Sequence, residues 1–203
     1  AGRRGSLIFK TSNRPRNSVT NLLRTERGNP TNDGLRSAPL RLMRSHPATL
    51  VLLVAFTIRF LFAVFVTVTR GGYLFPDDRG YLKVAAEFAR GDTSNWDLFG
   101  TWGLWNINAS FLAPISYLFH FFGFHPLLGQ ALTALAGATT AAAVAALVHR
   151  HASAIAALFA GFAVAALPSQ VLWSSIVLKD AYSWMALSLL ALVLGWWANR
   201  SDL

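Results

Sequence analysis

Residues 48–68, ATLVLLVAFTIRFLFAVFVTV, form an apolar run in which Arg59 is the only charged residue. A helix of roughly 20 such residues crosses a hydrocarbon core of about 30 Å. Only 13% of the whole chain is charged and 54% is hydrophobic, whereas a soluble domain has about 25% charged residues. We therefore predict an all-α integral membrane protein, and a soluble core is the wrong description of this chain.

Three further apolar segments are predicted to cross the membrane: Pro126–Val148, Ala152–Leu167 and Ala181–Trp197. The first of these is rich in Ala and Gly, which lets neighbouring helices approach closely. Residues 111–124, FLAPISYLFHFFGF, are too short to cross and are interrupted by Pro114 and Gly123. We predict a re-entrant or interfacial helix there. The expected fold has about four transmembrane helices, with interfacial helices in a long first outer loop, residues 70–125.

The first 47 residues carry ten of the 18 Lys and Arg residues but only two acids. Their polar composition predicts a basic, largely disordered tail. Positive charge next to a membrane span favours the cytoplasmic side and anionic lipid headgroups, rather than nucleic acid. Arg150 and Arg200 share that side in a four-span arrangement. We therefore expect both termini in the cytoplasm, with residues 70–125 and 169–180 outside the cell membrane.

The outer loop opens with RGGYLFPDDRGYLKVAAEFARG, residues 70–91. Apolar residues in this stretch recur at helical spacing, so Asp77 and Asp78 stand at the start of a predicted amphipathic helix. One carboxylate can cap the helix, which leaves its neighbour available as a general base. Lys179 and Asp180 are expected on the same side of the membrane. The chain has no cysteine, which excludes disulfides and a thiol nucleophile.

Other polar and aromatic residues allow two interpretations each. Arg59 lies near the middle of the first span, where a charge is costly. It can snorkel or pair with a buried acid, or it can reach a lipid phosphate. Trp96, Trp102 and Trp105 in the outer loop fit an aromatic belt at the headgroups, and they also fit a surface that stacks on sugar rings.

Several motifs occur in a particular order along residues 48–197. An Arg-containing first span is followed by an acidic pair before GYLKVAAEFARG, and then by FFGFHPLLGQALTALAG and LPSQVLWSSIVLKDAYSW. This order resembles the N-terminal half of GT-C glycosyltransferases, which include protein O-mannosyltransferases and lipid A aminoarabinose transferases. Those enzymes are usually much longer, with further spans and often a soluble C-terminal domain. The chain is therefore expected to be a fragment of such an enzyme or a small relative.

The resemblance implies transfer of a sugar from a polyprenyl-phosphate donor to an acceptor hydroxyl at the outer membrane face. It implies Asp77 or Asp78 as the catalytic base and Asp180 as a second acidic motif. Arg59, Arg79 and Lys179 are candidate ligands of the lipid phosphate. A divalent cation, Mg²⁺ or Mn²⁺, is optional, with Asp78 and Asp180 as its ligands.

A non-catalytic membrane subunit is the alternative function. Its small-residue helices would pack with a larger membrane partner, and both aspartates could then be replaced without effect. A transporter would need polar residues along its spans, and only Arg59 is conspicuous there.

Overall fold

The computed structural model of the chain describes residues 46–94, 96, 97 and 100–198. The predicted basic tail therefore lies almost entirely outside the described residues. The described part is all-helical, with no strand. Its helices are α1 (Pro47–Arg70), α2 (Pro76–Arg90), α3 (Thr101–Phe122), α4 (Pro126–His151), α5 (Ala154–Ala166), α6 (Pro168–Ser175) and α7 (Asp180–Ala198).

Three of these helices, α1, α4 and α7, are long and apolar enough to cross a membrane. The pair α5 and α6 passes the same test of length and composition when taken together, although the two helices meet at an angle of 61°. The prediction of an all-α protein with several apolar spans is thus confirmed, with three candidate spans, or four when the bent pair is counted as one.

The structure differs from two predicted segments. Residues 111–122 are the second half of the 22-residue helix α3, which begins at Thr101, continues through Pro114 and ends before Gly123. The predicted span 152–167 corresponds to the 13-residue helix α5, which ends before Pro168 as predicted, and Pro168 begins a further helix, α6. Proline is well tolerated in the first turn of a helix, where its missing N–H would have no helical partner.

Helix α4 is the centre of the apolar bundle and packs against α1, α5 and α7. Small side chains make this packing close. A Cβ added to Gly161 in α5 would lie 2.8 Å from both Ala145 Cβ and Val51 Cγ2. The buried face of α4 is likewise composed largely of alanine. Small residues at a helix interface allow the two backbones to pack closely together.

Helices α2 and α3 form a second layer that packs on the connection between α6 and α7. Leu82 of α2 and Ile115 of α3 share one buried cluster with Ile176 and Val177. The same layer meets the start of α4, since a Cβ at Gly129 would lie 3.2 Å from Leu82 Cδ2 and 3.3 Å from Ile115 Cγ2. The chain just after α1 also meets it, since a Cβ at Gly72 would lie 2.5 Å from Pro126 Cβ. The end of α1, the start of α4 and the start of α7 are therefore at one end of the bundle. From that end the chain runs along α4 to the opposite end of the bundle. It then returns along α5 and α6.

Candidate functional site

Asp78 caps its own helix from a buried position. It is fully buried, and its Oδ2 and Oδ1 accept hydrogen bonds from the backbone N–H groups of Leu74 at 2.8 Å and Phe75 at 3.3 Å. Burial raises the pKa of the Asp78 carboxyl, although the backbone donors act in the opposite direction. Both carboxylate oxygens are thus engaged in closing the first turn of α2.

Asp77 is exposed, one residue earlier. Tyr81 lies one turn further along α2. Its pKa is raised first by burial and then by the negative charges of Asp77 and Asp180. Tyr81 and Tyr182 both contact the Phe111 ring, so the start of α7, with Asp180, lies at this part of α2. We call the group Asp77, Tyr81 and Asp180 the acidic edge of α2.

A cavity of about 390 Å³ lies between α3 and α7. Tyr182 of α7 and Lys179, the residue just before α7, line it. Asn108 and Phe111 line it from α3. The Phe111 ring contacts Tyr182 edge-on with centroids 5.1 Å apart, and it contacts Tyr81 in the same manner at 5.2 Å. Phe111 therefore lies between Tyr81 and the cavity.

The predicted tryptophans do not form an exposed platform. Trp96 and Trp105 are buried, and the Trp105 ring stacks on Phe88 of α2 with centroids 3.8 Å apart. Trp96 Nε1 donates a hydrogen bond of 2.9 Å to Glu87 Oε2, and the Trp96 ring meets Trp102 edge-on. These rings hold α2 against the start of α3, so for Trp96 and Trp105 neither predicted role, headgroup belt or sugar stacking, fits the structure.

Arg59 is fully buried inside the bundle. Its Nε donates to Ser174 Oγ at 2.7 Å, and its Nη1 donates to the carbonyls of Ala55 at 3.1 Å and Ala165 at 3.3 Å. Ala165 lies in the last turn of α5, where carbonyls lack helical partners and the helix dipole attracts a cation. Among the described residues no acid pairs with Arg59, and burial separates it from any lipid phosphate in this arrangement. The structure thus shows none of the three roles predicted for Arg59: snorkelling, pairing with a buried acid, or contact with a lipid phosphate.

The three predicted phosphate ligands are not brought together. Lys179 is exposed and immediately precedes Asp180, whereas Arg59 is inside the bundle. Arg79 is exposed on α2, with its guanidinium carbon 5.8 Å from the centroid of the Tyr73 ring. At 3.6 residues per turn, Arg79 is about 160° around the helix axis from both Asp77 and Tyr81. Of the three cations, only Lys179 is near the acidic edge.

The residues offer limited support for a protein-held metal ion. No group of three or more His, Cys, Asp or Glu side chains occurs in the part of the chain that the structure describes. Asp78, one of the two predicted ligands, already accepts two backbone hydrogen bonds. The predicted pair Asp78 and Asp180 does not fit a cation site in this arrangement, so no step below uses one.

Tyr81 is the member of the site that the sequence interpretation missed. Its spacing of four residues from Asp77 places both on one side of a helix, which was the available signal. Asn108 and Tyr182 could not have been assigned to the cavity, because their proximity depends on how α3 packs on α7. No protein-family model, curated protein or solved structure matches this chain. The site must therefore be interpreted from its own geometry.

Proposed function

We propose that the chain is a GT-C-like membrane glycosyltransferase, or part of one, which transfers a sugar from a polyprenyl-phosphate donor to an acceptor hydroxyl. The observation that carries the proposal is the contact of the Phe111 ring with both Tyr81 and Tyr182, at 5.2 Å and 5.1 Å between centroids. It brings the start of α7, with Asp180, to the part of α2 that carries Asp77. Carboxylates gathered at one boundary of a membrane protein are typical of sites that move protons. The order of motifs along residues 48–197 resembles that of GT-C glycosyltransferases, and this resemblance implies a polyprenyl-phosphate sugar as the donor.

Asp77 is the proposed general base. It is exposed and its neighbour Asp78 provides the helix cap, so Asp77 is free to accept the proton of the acceptor hydroxyl. The hydroxyl oxygen then forms a bond to the anomeric carbon while the bond from that carbon to the phosphate oxygen breaks. The phosphate departs with the bonding electrons on the opposite face, which inverts the configuration. Lys179 opposes the charge of the departing phosphate.

The reaction is placed at the level of the lipid headgroups. A sugar on a polyprenyl phosphate cannot leave the bilayer, and α2 follows directly on the end of the membrane-spanning helix α1. With the basic tail in the cytoplasm, this end of the bundle faces outward. Both termini are then cytoplasmic and residues 70–125 are outside.

The decisive experiment compares Asp77→Asn with Asp78→Asn in the native protein. We expect Asp77→Asn to lower sugar transfer about 100-fold or more, because the amide cannot accept the proton. Donor binding should persist, since no positive charge is removed. Asp78→Asn is the matched control, and it should retain most of the transfer activity while the protein loses stability.

The readouts are transfer from a polyprenyl-phosphate sugar and, separately, binding of that donor. Full transfer by Asp77→Asn, Asp180→Asn and the double variant would reject a catalytic role for the acidic edge. Loss of transfer together with loss of donor binding would indicate a binding role for Asp77 in place of a base.

A non-catalytic membrane subunit is the second candidate, and the exposure of α7 favours it. Only 6% of its most apolar window is buried, against 50% for α4. Leu187, Leu190, Val193 and Leu194 are all more than half exposed. Such a surface suits lipid or a larger membrane partner. Full activity of the partner complex with both aspartates replaced would support the subunit.

A further inference from the structure

Three cations follow one side of α2. Arg79, Lys83 and Arg90 are spaced by four and seven residues and are all exposed. They line a cavity of about 250 Å³ together with the rings of Tyr73 and Phe124. The Arg79 guanidinium carbon lies 5.8 Å from the centroid of the Tyr73 ring. We call this set the basic cavity.

The positive charge of the basic cavity is largely uncompensated. Lys83 Nζ lies 3.7 Å from Glu87 Oε1, which is the only ion pair in the part of the chain that the structure describes. Glu87 also accepts a hydrogen bond from Trp96 Nε1 through its other oxygen. Among the described residues no carboxylate lies within 4.0 Å of a nitrogen of Arg79 or Arg90. The cavity therefore presents at least two free positive charges.

An apolar groove of about 660 Å³ lies at the turn between α3 and α4, the same turn that contributes Phe124 to the basic cavity. Phe124 of the cavity lies within this turn, directly before His125 and Pro126 of the groove. On α1 the groove runs from Thr67 to Phe60, which are about 5 Å and 15 Å below the end of the helix at 1.5 Å per residue. That depth equals about half of a 30 Å hydrocarbon core. The remaining lining residues are Phe122, Leu127, Leu128 and Ala131.

We propose that this combined surface binds one anionic glycerophospholipid of the surrounding membrane. Its phosphate lies in the basic cavity, where two or more cations at the headgroup level complement its charge. One acyl chain lies in the apolar groove and reaches the middle of the bilayer along α1. The aromatic rings of Tyr73 and Phe124 border the headgroup at the polar boundary.

The geometry favours a structural phospholipid over the glycosyl donor. The cations are about 120–180° around the α2 axis from Asp77 and Tyr81, given 3.6 residues per turn. A phosphate held by Arg79 and Arg90 would therefore direct its substituent away from the acidic edge. The inference does not depend on the proposed function, because it rests on charge and groove shape alone.

The test is native mass spectrometry of the purified chain with phosphatidylglycerol and phosphatidylcholine of identical acyl chains. We expect phosphatidylglycerol to bind about 10- to 30-fold more tightly, since each nearby cation contributes about 1 kcal/mol of attraction. Arg79→Gln and Arg90→Gln should each reduce this preference about fivefold. Arg150→Gln is the matched control, an exposed Arg at the far end of α4, and it should leave the preference unchanged.

The groove is tested separately with Ala131→Phe, which fills it, and with Leu135→Phe on an exposed part of α4 as control. Ala131→Phe should weaken both lipids equally, and Leu135→Phe should weaken neither. Equal binding of the two lipids by the unmodified chain would overturn the proposal, as would an unchanged preference in Arg79→Gln and Arg90→Gln. Displacement of phosphatidylglycerol by equimolar polyprenyl phosphate or by inorganic phosphate would overturn it too, in favour of the donor or a free anion.

Discussion

Asp77 and Asp78 are chemically identical neighbours, and the 100° turn between successive helical residues gives them different environments. Asp78 faces inward and receives the backbone N–H groups of Leu74 and Phe75, while Asp77 faces outward. The sequence predicted that one of the two caps the helix. It could not say which one, because that depends on the direction from which the preceding residues approach α2.

The pH dependence of stability should reveal the burial of Asp78. Its pKa is raised in the folded protein, so folding is favoured by its protonation. This contribution is complete below the unfolded pKa of about 4 and is lost as the pH rises through the folded pKa. We expect the stability of the unmodified chain relative to Asp78→Asn to increase as the pH falls from 7 towards 4. Thermal unfolding in detergent measures the difference.

Asp97→Asn supplies a control of opposite sign. Asp97 accepts hydrogen bonds from the backbone N–H of Thr101 at 2.8 Å and of Gly100 at 2.9 Å, which lower its pKa. Its contribution is present above the unfolded pKa and is lost as the pH falls. The stability of the unmodified chain relative to Asp97→Asn should thus stay constant from pH 7 to about 5 and shrink as the pH falls below about 4. Parallel curves for the two variants would contradict both assignments.

At the scale of helices, apolar length predicted α1, α4 and α7 well, since each is a continuous run without a breaker. The sequence was less informative at Pro114 and Pro168. A proline can end a helix, bend it or begin the next one, and the surrounding packing decides among these outcomes. The Arg59 contacts were equally out of reach, because Ser174 and Ala165 become its neighbours only when α5 and α6 fold back on α1.

The close packing of α5 on α1 and α4 gives a test at this scale. Gly161→Ala would bring a methyl group within 2.9 Å of Val51 and Ala145, neither of which has a flexible end that can move away. We expect a loss of about 1–3 kcal/mol in the free energy of unfolding. Gly80→Ala in α2 meets nothing within 4 Å and should gain about 0.5–1 kcal/mol. Equal denaturation curves for the two variants would contradict the packing described here.

At the scale of the whole described bundle, the path of the chain distinguishes between a broken span and a re-entrant loop for α5 and α6. The residues after α6 pack on α2, at the end of the bundle where α1 finishes. The bent pair therefore leads from one end of the bundle to the other, as a broken span does and a re-entrant loop does not. This path is consistent with four crossings and with Asp77 and Asp180 on the same side of a membrane.

The sidedness can be measured with cysteines, since the chain contains none of its own. Ser94→Cys lies in the outer loop and should react with a membrane-impermeant thiol reagent in intact cells. Ser201→Cys near the C-terminus should react only after the cells are opened. The reverse pattern of labelling would contradict the proposed orientation, and labelling of both positions in intact cells would contradict the even number of crossings.

The hydrogen bonds of Arg59 have a consequence for the order of events during synthesis. Ser174 and Ala165 follow Arg59 by 115 and 106 residues. At about 5–20 residues per second, a ribosome needs roughly 5–20 s to produce them after Arg59 has been made. Until then, of the hydrogen bonds that Arg59 makes in the structure, only the one to the Ala55 carbonyl of its own helix can form. The buried hydrogen bonds of Arg59 to Ser174 and Ala165 can therefore form only after α5 and α6 have been synthesised.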